Sequence, residues 1–249
     1  PYFKSYVLNA GTTTNKNILK KIFSLIVIFL SILQSIIILY KEKPDLIFGL
    51  GGYVSFPISF ASRFFRIPLV IYESNMILGR ANKKLLNISK KIFFSKRVPP
   101  NFSNKFKKKS YEVGPILDKK IINNFNFLKK NRKEINIFSI LVLGGSQGAE
   151  IFGEIVPTTI KMLKEKGYEV EIFQQCTSKQ KNSILNFYKE NKIKNQVFEF
   201  NNNIIELILS SNLVITRCGA TTTAELEYTQ TPFIAVPLPN SIDNHQYLN

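Results

Sequence analysis

The sequence predicts an α/β protein built on parallel sheets and divided into two domains. Three observations lead there. Short β-branched and aromatic runs recur, helical stretches of roughly 10 to 25 residues separate them, and the alternation breaks once, near the middle of the 249 residues, in Lys-, Asn- and Pro-rich sequence. Strands spaced in this way are the mark of repeated β-α-β units.

The expected strands begin with SYVL at residues 5–8, then DLIFG at 45–49, PLVIY at 68–72 and KIFFS at 91–95. A second series follows: SILVLGG at 139–145, YEVEIF at 168–173, NLVIT at 212–216 and FIAVP at 233–237. Between them lie VPPNFSNKFKKKS and NNFNFLKKNRKE, around one short extended piece at 111–115. This gives an N-terminal domain at 1–115, a linker at 116–133 and a C-terminal domain at 134–249. The chain opens at Pro1 and stops at Asn249 in what reads as a helix start, so it is read as a piece of a longer protein.

Residues 22–40, IFSLIVIFLSILQSIIILY, are 19 positions without a charge, in a chain of formal net charge +17. At ~1.5 Å per residue the run is ~28 Å long, close to the ~30 Å hydrocarbon core of a bilayer. Its place between two expected strands of one sheet predicts a crossover helix, because a span would put the first strand on the far side of the membrane. Lys20, Ser24, Ser31 and Ser35 share one helical face, and nearly everything else is apolar, so there is almost no polar back. Docking on a membrane surface, burial against another segment or partner, and a true span are the three readings. Flanking Lys16, Lys20, Lys21, Lys41 and Lys43 suit anionic headgroups in the first reading and would flank a span equally well.

The excess of 34 Lys and Arg over 17 Asp and Glu fits an anionic partner: nucleic acid, acidic lipid or a phosphorylated small molecule. Nucleic acid is the weakest of these, because the aromatics sit in apolar runs and do not interleave with basic residues. Cys176, Cys218 and the single histidine, His245, show no ligand spacing, so neither a disulfide framework nor a Cys/His metal site is expected.

Glycines in GLGGYVSFP (49–57) and LVLGGSQGAE (141–150) stand where a strand gives way to a helix. There they let backbone N–H groups approach a phosphate at the helix start. Ser146 adds a hydroxyl. In NLVITRCGATTTAELEYTQTPFIAVP, Gly219 permits a turn into a helix carrying Glu225 about two turns in, where a carboxylate can accept from the vicinal hydroxyls of a ribose. The amides and imidazole of SIDNHQYLN (241–249) suit sugar hydroxyls. Taken singly, Glu225 is equally an exposed helix-face glutamate and His245 a surface-loop histidine.

Together, PDLIFGLGGYVSFP, IYESNMILGRANKKL, LVLGGSQGAE, TRCGATTTAELEYTQTPFIAVPLP and DNHQYLN resemble the MurG family of peptidoglycan glycosyltransferases. The resemblance implies a GT-B fold, in which two Rossmann-like domains face each other across a cleft. It implies an inverting transfer of N-acetylglucosamine from UDP-N-acetylglucosamine to a polyprenyl-pyrophosphoryl-muramoyl-pentapeptide (lipid I), giving lipid II at the cytoplasmic face of the cell membrane, with no metal or other cofactor. By motif, Asn75 faces the transferred sugar and Ser146 the donor phosphates. Ala220, Thr221, Thr222 and Glu225 hold the nucleotide, Glu225 taking the ribose. Asn201 lies beside the uracil, His245 and Gln246 contact the N-acetylglucosamine, and Gly51, Gly52 and Tyr53 belong to the acceptor side.

Leu117 stands where the family has an arginine near the donor, which puts that contact in doubt. The family's first Gly-rich loop, with a histidine often taken as the base, would precede Pro1, so the catalytic base is unassigned. A different GT-B glycolipid transferase, such as one acting on diacylglycerol, and a non-catalytic membrane-bound recruiting subunit are the alternatives.

Overall fold

The computed structural model describes residues 3–9, 11, 18–99, 102–130, 137–145, 150–239, 241 and 244–249. The chain divides into two compact units, Pro1–Pro115 and Ile116–Asn249.

In the first unit, α1 (Ile18–Glu42) leads to β1 (Ile47–Gly49), α2 (Gly52–Ala61) and a 3-10 turn (Ser62–Phe65). Then come β2 (Leu69–Glu73), α3 (Arg80–Leu85), β3 (Lys91–Phe94), α4 (Asn104–Lys107) and β4 (Ser110–Glu112). The four strands are parallel, in the order β1-β2-β3-β4. Every residue of β2, Leu-Val-Ile-Tyr-Glu, is buried, as a strand covered on both faces requires. Ile47, Ile71 and Ile92 close the core with Leu39 of α1 and Leu85 of α3.

Residues 5–8 are not the strand expected of them. The segment lies instead along α1: Gln34 Nε2 donates to the Val7 carbonyl at 3.0 Å, and Ser31 Oγ donates to that of Asn9, the next residue after the run. Lys4 pairs with Glu42 at 3.0 Å. The segment rides so close to the helix that a Cβ at Gly11 would fall 2.6 Å from the Ser24 carbonyl oxygen.

The polar face of α1 is the inner one. Ser24, Ser31 and Ser35 are buried, and the helix packs against α2 and the 3-10 turn. Ser24 Oγ donates to the Lys20 carbonyl at 2.8 Å and Ser35 Oγ to that of Ser31 at 2.7 Å, so these hydroxyls are satisfied within the helix and need no water. Their small size lets the neighbouring backbone approach. Phe23, Ile26, Phe29, Leu33 and Ile37 are left exposed on the outside.

The second unit contains α5 (Lys119–Lys130), β5 (Phe138–Leu143), α6 (Glu150–Glu165), β6 (Val170–Gln175), α7 (Ser178–Glu190) and β7 (Lys194–Phe198). It continues through α8 (Ile204–Ser210), β8 (Leu213–Arg217), α9 (Ala220–Thr229), β9 (Phe233–Val236) and α10 (His245–Leu248). Its five parallel strands run β7-β6-β5-β8-β9. Ile140 and Val142 of β5 face a cluster with Phe152 and Ile160 of α6, whereas Leu141 and Leu143 face one with Ile208 of α8 and Leu226 of α9. This period of two, with helices on both sides, is the doubly wound arrangement.

Two features here depart from the sequence reading. The stretch expected as a linker carries α5, which packs on α8 and α9 within the second unit. Strand β7 was not foreseen, because Lys194, Asn195 and Gln196 hide the pattern at a sheet edge where only Phe198 is buried.

Candidate functional site

In the first unit the candidate residues cluster at the C-terminal ends of β1 and β2. Gly51 (φ +81°) and Gly52 (φ +77°) take a left-handed backbone that lets β1 turn sharply into α2. Tyr53 stands exposed in the first turn of that helix. One strand over, Asn75 follows β2 and donates through its backbone N–H (3.1 Å) and Nδ2 (3.0 Å) to Oε1 of Glu73. Glu73 is 4% exposed, and its other oxygen, Oε2, accepts from the Gly79 N–H at 2.8 Å and Asn82 Nδ2 at 2.9 Å. Glu73 and Asn82 were not singled out from the sequence. Their only signal was their place inside the YESN and GRANKKL motifs.

In the second unit the chain leaves β5 towards β6 and β7 and returns to β8 beside β5, so the end of the sheet between β5 and β8 is the topological switch point, the usual ligand crevice of open α/β sheets. Gly144 and Gly145 (φ +74°) lead out of β5, and Gly219 leads out of β8 into α9. Ser146 lies outside the described residues. Gln175 ties neighbouring loops together: its Oε1 accepts from the Gly144 N–H at 3.1 Å, and its Nε2 donates to the Glu199 carbonyl at 3.2 Å, just before Asn201. The Asn201 side chain accepts from the Asn203 N–H at 2.7 Å, a local turn that opens α8.

Ala220, Thr221 and Thr222 form the first turn of α9, and Glu225 follows one turn later, half-buried. Burial raises its carboxyl above the ordinary glutamate value, and the nearby Asp118 raises it further. Gln246 in α10 accepts from the Leu238 N–H through Oε1 at 2.9 Å, holding the segment after β9 against the short helix that begins with His245. Asn249 Nδ2 donates to the Cys218 carbonyl at 3.1 Å, which brings the end of α10 to the start of α9. Arg217 donates to the carbonyls of Val236 and Pro237 at 3.4 and 3.1 Å, with its guanidinium over the Phe152 ring. The segments that follow β8 and β9 therefore meet α10 at the C-terminal ends of the strands, beside the end of β5. Asn201 lies two strands away, and among the described residues the Gln175 bridge links its neighbour Glu199 to the end of β5. Among the described residues no group of three His, Cys, Asp or Glu side chains is placed to hold a metal ion.

Two parallel-sheet α/β units, the second doubly wound with its glycine turns at the switch point, are the architecture of the GT-B class of fold. Residues 2–94 match the glycosyltransferase family 28 N-terminal domain, and residues 139–249 match the family 28 C-terminal domain. The UDP-N-acetylglucosamine--N-acetylmuramyl-(pentapeptide) pyrophosphoryl-undecaprenol N-acetylglucosamine transferase of Rickettsia prowazekii is 37% identical over 92% of this chain and 68% of its own length. The protein of the same description from Pelagibacter ubique is 36% identical over 94% of this chain and 65% of its own. A crystal structure of Acinetobacter baumannii MurG superposes with a TM-score of 0.68 at 25% identity, over 90% of this chain and 61% of that one. The chain belongs to the MurG family, and it spans about two thirds of the length of these relatives.

Proposed function

We propose that the protein containing this chain moves N-acetylglucosamine from UDP-N-acetylglucosamine onto lipid I, the reaction that the names of its relatives describe. One observation carries the reading: both units match, in order, the two domains of family 28, within a chain more than one third identical to named transferases. A hydroxyl oxygen of the acceptor attacks the anomeric carbon. The bond from that carbon to the diphosphate breaks, UDP leaves with the electron pair, and the hydroxyl proton passes to a base not among the residues assigned here. The new linkage is β-1,4, and the transfer draws on no metal cofactor.

In this reading the first-turn amides of Ala220 to Thr222, with Ser146, meet the diphosphate at the positive end of α9. Glu225 accepts from the ribose hydroxyls, Asn201 lies beside the uracil, and His245 and Gln246 contact the sugar. Asn75 faces the transferred sugar, and Gly51, Gly52 and Tyr53 serve the acceptor. The exposed apolar face of α1 docks peripherally on the anionic cytoplasmic surface of the membrane, where a lipid-linked acceptor is found. Burial of the serine face within the first unit supports docking over spanning.

The test is transfer of labelled N-acetylglucosamine by the full-length protein, with lipid I and diacylglycerol as competing acceptors and with EDTA present. Transfer to lipid I alone, unaffected by EDTA, is expected. Labelling of diacylglycerol, or no turnover with either, overturns the reading in favour of another glycolipid transferase or a recruiting subunit.

A further inference from the structure

Glu73 and Asn82 lie beneath the substrate-facing residues of the first unit and have no role in the assignments above. The Glu73 carboxylate accepts from both ends of the loop that follows β2: from Asn75 N and Nδ2 on one oxygen, and from Gly79 N and Asn82 Nδ2 on the other. Asn82, 2% exposed, shares its Nδ2 with the Tyr72 carbonyl at 3.1 Å. It also reaches under the neighbouring turn, where a Cβ at Gly51 would lie 3.0 Å from that nitrogen. Its Oδ1 is buried with no hydrogen-bond partner among the described residues.

We infer that Glu73, acting with Asn82, is a positioning residue that locks the Asn75 loop and the Gly51–Gly52 turn together as one preorganised surface toward the substrate. The inference rests on the reading that this surface faces the transferred sugar and the acceptor. A carboxylate only accepts, so it also fixes the amide of Asn75, whose NH2 must point at Glu73 and whose Oδ1 must point the other way. Glutamine at position 73 both donates and accepts, so the same shape no longer sets that orientation.

The experiment compares Glu73→Gln and Asn82→Ala with wild type in the full-length protein. Two quantities are read: steady-state transfer with each substrate varied, and amide hydrogen exchange. In Glu73→Gln, kcat should fall by about 10- to 100-fold, the scale of a misplaced contact. The acceptor KM should rise, the KM for UDP-N-acetylglucosamine should stay within about twofold, and the folded fraction should be unchanged. Exchange should quicken at Asn75 and Gly79, and also at Gly51 and Gly52, which Glu73 does not touch. Asn82→Ala leaves the other three hydrogen bonds to the carboxylate in place and should quicken exchange at Gly51 and Gly52 with a smaller loss of kcat. It carries the test if Glu73→Gln does not fold. Activity lost only in proportion to unfolded protein, or unchanged exchange at Gly51 and Gly52, overturns the inference. A wild type that transfers nothing to lipid I sinks the substrate reading instead, and the exchange at Gly51 and Gly52 still decides whether the clamp exists.

Discussion

Introducing two aspartates on one face of α1 should detach the protein from membranes, and introducing two on the opposite face should unfold it. Phe29 and Leu33 are 60% and 43% exposed. Full burial of such side chains is worth ~1.5–3 kcal/mol each, so the exposed half of each offers a bilayer about 0.8–1.5 kcal/mol. Phe29→Asp with Leu33→Asp therefore forfeits about 1.5–3 kcal/mol, a loss of partitioning of about 10- to 100-fold, and it also sets two carboxylates against an anionic surface. Ser31 and Ser35 are 1% and 0% exposed. A carboxylate buried there costs several kcal/mol, against a total domain stability of about 5–15 kcal/mol. Ser31→Asp with Ser35→Asp should leave the first unit unfolded. Sedimentation with anionic vesicles, alongside circular dichroism of each variant, reads both effects. High salt should weaken wild-type binding only in part, since the apolar contact is not screened. If the Phe29/Leu33 pair unfolds the protein, or binds vesicles as wild type does, the docking face has been misassigned.

Glu225→Gln keeps the shape of the side chain and removes its charge, and should weaken UDP-N-acetylglucosamine binding by ~1–3 kcal/mol in calorimetry; unchanged affinity in a folded variant removes the ribose role. Because burial and Asp118 raise the Glu225 carboxyl, the folded state holds its proton more tightly than the unfolded chain. Stability should therefore decline as pH rises from the ordinary glutamate range through the raised value, and denaturant titrations of Glu225→Gln should show that decline flattened. Tyr188, 0% exposed, donates its hydroxyl to Gln174 Oε1, and Gln174 Nε2 donates to the Phe152 carbonyl at 3.1 Å. Tyr188→Phe leaves a buried acceptor unmatched, and urea unfolding should show a loss of ~1–3 kcal/mol.

The sequence by itself determined the α/β class, the parallel strands at 47–49, 69–73 and 91–94, most of the second sheet, and the three Gly-containing strand-to-helix turns. These are local signals: a β-branched run with glycine at its end reads the same in any context. It also determined the family, since five weak motifs in a fixed order are together specific. What it could not decide was partnering. The run at 5–8 has strand composition, yet its Val7 carbonyl accepts from Gln34 of α1, because a strand exists only where a neighbouring edge accepts it. Edge strand β7 was hidden because only Phe198 of it is buried, and α5 because its sequence reads as a polar linker until it meets α8 and α9. Hydropathy alone would turn the serines of α1 outward. The tertiary structure buries them, and each hydroxyl is satisfied there by the helix's own carbonyl four residues back. The Glu73–Asn82 clamp joins residues nine positions apart to a glycine more than twenty positions upstream, and such a contact is set only when β1 and β2 lie side by side.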